Sequence, residues 1–156
     1  MKTSAIFPGS FDPITKGHES VIIRSLGLFD SVTVAIGFNA EKKTLFPLEL
    51  RLKWLNDVFA PYPQISVAFY EGLTTDFCKK NNIQYILRGL RTSADFEFER
   101  GIGQMNKNIF PDIETVFLLA LPEYNSLSSS IIRDIYRNGG NISSFIPEKI
   151  QLPPLK

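Results

Sequence analysis

The sequence predicts a single α/β domain of the doubly wound, Rossmann-like class with a five-stranded parallel sheet, and two observations carry that reading. Five short runs rich in β-forming residues recur along the chain, and most are nearly continuous in apolar residues, as strands covered on both faces are. Between them lie stretches whose apolar residues return at helical spacing, so that strand and helix alternate throughout.

In chain order the predicted strands are Thr3–Phe7, Ser31–Ile36, Ile65–Phe69, Tyr85–Leu87 and Glu114–Leu119. The first helix, Thr15–Leu28, opens on a good N-cap and carries Val21, Ile22, Leu26 and Phe29 along one face. The second, Leu48–Phe59, follows Pro47 and repeats Leu48, Leu52, Leu55 and Phe59. A short helix over Thr74–Asn81 and a longer polar one over Ser93–Asn108, closed by Pro111, come next. The last, Ser128–Arg137, starts in a run of serines and stops at Asn138-Gly139-Gly140, a C-cap signal. From about Asn141 the tail, with Pro147, Pro153 and Pro154, is expected to form one short helix and then fray. No repeat or linker interrupts residues 1–156, so one domain is expected.

Composition narrows the function. Hydrophobic residues make up 44% and charged residues 21% of the 156, an ordinary globular balance. The 17 basic and 16 acidic side chains nearly cancel, which argues against broad nucleic-acid binding, so any positive site must be local. Cys78 is the only cysteine, which excludes an intrachain disulfide and a multi-cysteine metal site. No apolar run approaches the roughly 20 residues a bilayer span needs. The N-terminus has no signal-peptide character, so no membrane association and a cytoplasmic location are expected.

In open α/β sheets ligands bind beyond the carboxyl ends of the strands, so the residues after each strand are the candidates. The first strand runs into Pro8-Gly9-Ser10-Phe11-Asp12-Pro13 and then Thr15-Lys16-Gly17-His18. Gly17 weakens a first helical turn, and its use would be to let a ligand approach the backbone. His18, the only histidine, sits at the positive end of the helix dipole, where an anion is welcome. A lone histidine near a helix start is commonly structural, but the glycine and the strand beside it favour a site. No Gly-rich run ending in Gly-Lys-Ser/Thr is present, and Gly101-Ile102-Gly103 lacks the third glycine of a dinucleotide fingerprint.

The loop after the second strand carries Lys42 and Lys43, which alone would read as solvated charges. After the fourth come Arg88-Gly89-Leu90-Arg91, whose guanidinium groups suit bidentate contact with phosphate. The competing reading pairs these arginines with carboxylates of Asp95-Phe96-Glu97-Phe98-Glu99. After the fifth, Glu123 to Arg133 contains Ser128-Ser129-Ser130 at a helix start, more serines than capping needs and a second potential phosphate cradle.

These motifs together resemble the nucleotidyltransferase superfamily, whose members carry a His/Thr-x-Gly-His motif and a later Ser-Ser/Thr motif, here Leu127-Ser128-Ser129-Ser130. From Ala5 to about Pro147 the chain looks like the bacterial phosphopantetheine adenylyltransferases, most specifically through Arg88–Arg91 and Asp95–Glu99. That resemblance implies transfer of AMP from ATP to 4′-phosphopantetheine, giving dephospho-coenzyme A and pyrophosphate. It places Ser10, Lys42, Thr74 and Arg88 on the acceptor. It places Ser10, Phe11, His18, Gly89, Leu90, Arg91, Glu99, Tyr124, Asn125, Ser126, Leu127, Ser128, Ser129 and Ser130 on ATP, with His18 catalytic. It further implies Mg²⁺ accompanying ATP, a homohexamer, and coenzyme A as feedback inhibitor. Ser10 stands where the family often has threonine, and Tyr124-Asn125 where it often has Trp-Ser. A relative using another phosphate-bearing acceptor, or a silent nucleotide-sensing module, are the rival expectations.

Overall fold

The computed structural model describes residues 1–155. Its centre is a parallel sheet of β1 (Ser4–Gly9), β2 (Ser31–Phe38), β3 (Ile65–Glu71), β4 (Tyr85–Leu90) and β5 (Glu114–Leu119), in spatial order β3-β2-β1-β4-β5. The helices are α1 (Lys16–Ser25), α2 (Leu48–Phe59), α3 (Thr74–Lys80), α4 (Ser93–Ile109) and α5 (Ser129–Arg137). Strand order reverses between β1 and β4, and that switch point is where such a sheet opens a crevice at its carboxyl edge.

The doubly wound architecture expected from the sequence is the one observed. The core follows from the apolar strands: Ile6, Val32, Val34, Ala35, Ile36 and Leu87 have no accessible surface. Trp54, Leu55, Val58 and Phe59 of α2 pack with Val32, Val34, Ile36 and Leu87, while Ile6 and Ala35 belong to a second cluster with Cys78, Ile83 and Ile113. Burial pushes the Cys78 thiol up to about 11, so this side chain packs and does not react.

Four strands run farther than their apolar stretches. β2 and β3 stay paired through Gly37–Tyr70 and Phe38–Glu71, and β4 pairs with β5 through Arg88–Phe117, Gly89–Leu118 and Leu90–Leu119. The pairing is backbone bonding, which continues after the side chains have left the core. Arg88, Gly89 and Leu90 are therefore the last residues of a strand rather than a loop after it. α1 is shorter than expected, because Leu26 and Gly27 donate to the carbonyls of Ile23 and Arg24 three residues back, and the helix tightens into a turn. α5 ends as its glycines predict: Gly139 takes φ +80°, with Gly139 N–H on the Tyr136 carbonyl and Gly140 N–H on that of Ile135, a Schellman closure.

The tail corrects the expectation of a short helix after Asn141. It forms turns closed by Phe145 N–H to Ile142 and Ile150 N–H to Pro147, since prolines remove the donors a helix needs. Instead of fraying, it lays Ile142, Ile146 and Ile150 into the core, and the Tyr136 hydroxyl donates to the Pro153 carbonyl. Ile142, 1% exposed, should lose about 2–5 kcal/mol on replacement by alanine. Urea unfolding of Ile142→Ala would detect that loss, and an unchanged midpoint would mean the tail contributes no packing.

Candidate active site

His18 is fixed by its own helix start. Thr15 is the N-cap of α1, and its Oγ1 accepts from the His18 backbone N–H at 3.2 Å. In return the Thr15 N–H donates to His18 Nδ1 at 3.1 Å. This is a capping box with histidine in the place usually held by glutamate or glutamine. Because Nδ1 accepts, the proton of the neutral ring lies on Nε2. The ring is held edge-on by Phe11, with centroids 5.2 Å apart, and by Phe7 at 6.2 Å. Burial, then the charges of Arg88 and Arg91, bring its pKa down to about 4, so the imidazole is neutral at physiological pH.

The cleft that His18 lines has a volume of about 330 Å³ and lies at the β1–β4 switch point. The starts of α1 and α5 both open on it, placing the positive ends of two helices around one space. Ser128 caps α5 without a side-chain cap bond, whereas Ser129 Oγ donates to the Pro13 carbonyl and Ser130 Oγ accepts from Arg133. The surplus of serines is thus partly structural. A Cβ at Gly17 would make only ordinary contacts, 3.4 Å from Thr15 Oγ1 and 3.6 Å from Tyr124 Cβ, so the protein's own packing does not require glycine there.

A second cleft of about 250 Å³ shares Pro8, Gly9, Ser10, Arg88 and Glu99 with the first, then extends to Tyr70, Thr74, Ile102, Asn106 and Thr115. Arg88 forms the ridge between them. Its Nε and Nη2 donate to the two oxygens of the buried Glu99 carboxylate at 2.9 and 2.7 Å, and its Nη1 donates to the Pro8 carbonyl. Arg91 is held likewise by Asp95, at 3.1 and 3.3 Å, and by the Leu127 carbonyl at 2.7 Å. Burial pushes the Asp95 carboxyl up, but the side-chain and backbone bonds from Arg91 outweigh it and hold the pKa below the usual range. The carboxylate-pairing reading of the arginines is therefore the geometry present, and it orients both guanidinium groups at the clefts.

Of the residues singled out from the sequence, Ser10, Phe11, His18, Arg88, Gly89, Arg91, Glu99, Tyr124, Leu127, Ser128, Ser129 and Ser130 line the first cleft. Thr74 lines the second, with its hydroxyl 2.7 Å from that of Tyr70. Lys42 stands beside them, its Nζ 3.2 Å from Ser10 Oγ. Leu90, 7% exposed, is packed inside, and Asn125 and Ser126 belong to the loop that positions Tyr124 and Leu127 rather than to the cleft wall. Sequence reasoning missed Asp12 and Arg51. The Asp12 carboxylate accepts from the Leu45 and Phe46 N–H groups at 2.8 and 2.9 Å, tying the loop after β1 to the loop after β2. A charged residue on the apolar stripe of α2 was the available signal for Arg51.

A doubly wound sheet with paired helix N-termini, a neutral histidine and arginines at its switch point defines a protein that handles phosphate esters of nucleotides. The chain belongs to the cytidylyltransferase-like family, whose model matches residues 6–135, and within it to the phosphopantetheine adenylyltransferases. The phosphopantetheine adenylyltransferase of Flavobacterium psychrophilum is 51% identical over 95% of this chain and 97% of its own length. That of Cytophaga hutchinsonii is 45% identical over 96% of this chain and all of its own. Among solved structures, a bifunctional NMN adenylyltransferase/ADP ribose pyrophosphatase from Francisella tularensis shares the fold, with TM-score 0.72 at 16% identity over 94% of this chain and 45% of that one.

The depressed His18 pKa makes the stability of the fold depend on pH. Between about 4 and the ordinary value of 6.5 the unfolded chain binds the proton that the folded chain refuses. Stability from this group is therefore full above 6.5 and is lost as pH falls toward 4. An NMR titration of the His18 ring should give a midpoint near 4, and a midpoint near 6.5 would refute a neutral, desolvated ring.

Proposed function

We propose that this chain transfers the adenylyl group of ATP to 4′-phosphopantetheine, forming dephospho-coenzyme A and pyrophosphate. The observation that carries the reading is the neutral His18, with its Nε2 proton free to donate, between two helix N-termini and beside the arginine ridge. The acceptor phosphate, with a second pKa near 6, is already ionised at neutral pH, so no general base is required. What the reaction needs is in-line placement and stabilisation of charge spreading over the phosphates.

In this reading ATP occupies the His18 cleft and the acceptor arm the second one, with the phosphates meeting at Arg88. His18 Nε2–H donates to the α-phosphate as charge builds. Lys42 and Arg88 align the acceptor, and Arg91 with the Ser128–Ser130 turn holds the departing pyrophosphate. Magnesium fits as the counter-ion of ATP, lowering the charge on its phosphates. Asp95 and Glu99 are engaged by arginines, so phosphate oxygens and water would supply its ligands. Coenzyme A carries the product's skeleton and would compete by spanning both clefts.

A homohexamer and a cytoplasmic location complete the proposal. Self-assembly is supported by an apolar face on α4, where Phe98, Ile102, Met105 and Ile109 recur at spacings of about one turn and stay exposed. No helix among the described residues is long and apolar enough to cross a membrane.

Pyrophosphate release from Mg-ATP, with and without 4′-phosphopantetheine, tests the reaction. Release should depend on the acceptor and fall by roughly 10²–10³ in His18→Ala, the scale of a lost transition-state donor. A nearly unchanged turnover number would exclude that role, and no release would send the search to other phosphate-bearing acceptors. Arg88→Ala should chiefly raise the acceptor KM, with Arg88→Ala/Glu99→Gln as the control for the carboxylate left buried. An effect confined to ATP would contradict the assignment.

A further inference from the structure

We infer that Arg51 is a positioning residue for the transfer reaction: by anchoring the Ser10 carbonyl it turns the Phe11 N–H toward the phosphates of the bound nucleotide. The inference rests on the transferase reading above. Arg51 occupies the fourth position of α2, on the face shared with Trp54, Leu55 and Phe59, and is only 3% exposed. A guanidinium in that place must find its hydrogen bonds inside the protein. It finds two: Nε donates to the Phe46 carbonyl at 2.9 Å, and Nη1 to the Ser10 carbonyl at 2.6 Å. The first bond is local to the start of α2 and would satisfy a purely structural role. The second reaches across 41 residues to the loop that follows β1.

That second bond acts on a particular peptide plane. The Ser10–Phe11 bond is trans, so its N–H points opposite to its C=O. Arg51 draws the carbonyl toward a niche it shares with Lys42 and Thr44, outside the cleft that His18 lines. Ser10 and Phe11 themselves line the His18 cleft, so the N–H on the other side of the plane is turned to it. Phe11 takes φ +47°, a left-handed conformation that a residue with a Cβ holds only when its surroundings impose it. The Arg51 bond constrains it from one side, and the packing of its ring over Gly9 and edge-on against His18 from the other. Asp12 completes the frame, because its carboxylate fixes the Phe46 N–H while Arg51 takes the Phe46 carbonyl.

The test compares Arg51→Lys and Arg51→Met with the unaltered protein, each confirmed folded by circular dichroism. Acceptor-dependent pyrophosphate release should show kcat falling about 10-fold for Lys and about 10²-fold for Met, with the acceptor KM changed less than about threefold. Variants that melt at lower temperature yet keep the original kcat would overturn the inference. If the Met variant does not fold, the Lys variant decides. Independently, titrating the unaltered ¹⁵N-labelled protein with inorganic pyrophosphate should move the Phe11 amide resonance downfield, and the move should shrink in Arg51→Lys. A stationary Phe11 amide, while amides at the starts of α1 and α5 shift, would also overturn it. Unaltered protein that binds pyrophosphate this way but releases none from ATP would instead remove the transferase reading and leave the Arg51 geometry standing.

Discussion

The Thr15 backbone N–H gives its hydrogen bond to Nδ1 of His18, and the chemistry of the cleft depends on that bond. A helix start leaves N–H groups without partners, and something must accept from them. When the acceptor is an imidazole, the bond that closes the helix also selects the tautomer, orients the ring and leaves the Nε2 proton facing outward. Burial and two arginines then keep the ring neutral. Helix stability and the donor are one arrangement, so neither can be altered alone.

Around that donor, positive charge is delivered in held positions. Arg88 and Arg91 each rest on a carboxylate, Glu99 and Asp95, that fixes the guanidinium plane before any phosphate arrives. Fixed donors need no reorganisation as charge develops, which is what phosphoryl chemistry without a base asks of a protein. The same arrangement explains a chain with a formal net charge of only +1. Its cations matter by placement rather than by number.

Much of this was legible in the residues. Continuous apolar runs marked five parallel strands, and Thr15, Pro47 and Gly139 marked helix ends where the structure has them. The motifs beyond the first, fourth and fifth strands meet in one cleft because a doubly wound sheet brings those strand ends together. The ends of β1, β2, β3 and β4 were not legible, because backbone pairing continues where the side chains no longer report burial. The tail was expected to form one short helix and then fray, whereas its prolines force turns that bury Ile142, Ile146 and Ile150.

By itself the sequence determined the fold class, the strand and helix alternation, the family and the groups available for phosphate. Those are carried by local propensity, periodicity and short motifs, which act between neighbours in the chain. Tertiary structure alone decided that Arg51 reaches Ser10, that Asp12 joins two loops, and that Arg88 divides two clefts. It also decided between the two readings of the arginines, seating Arg88 on Glu99 and Arg91 on Asp95. These contacts arise when distant segments are packed to a common centre, and the direction of a buried hydrogen bond is set by that packing rather than by the residues beside it.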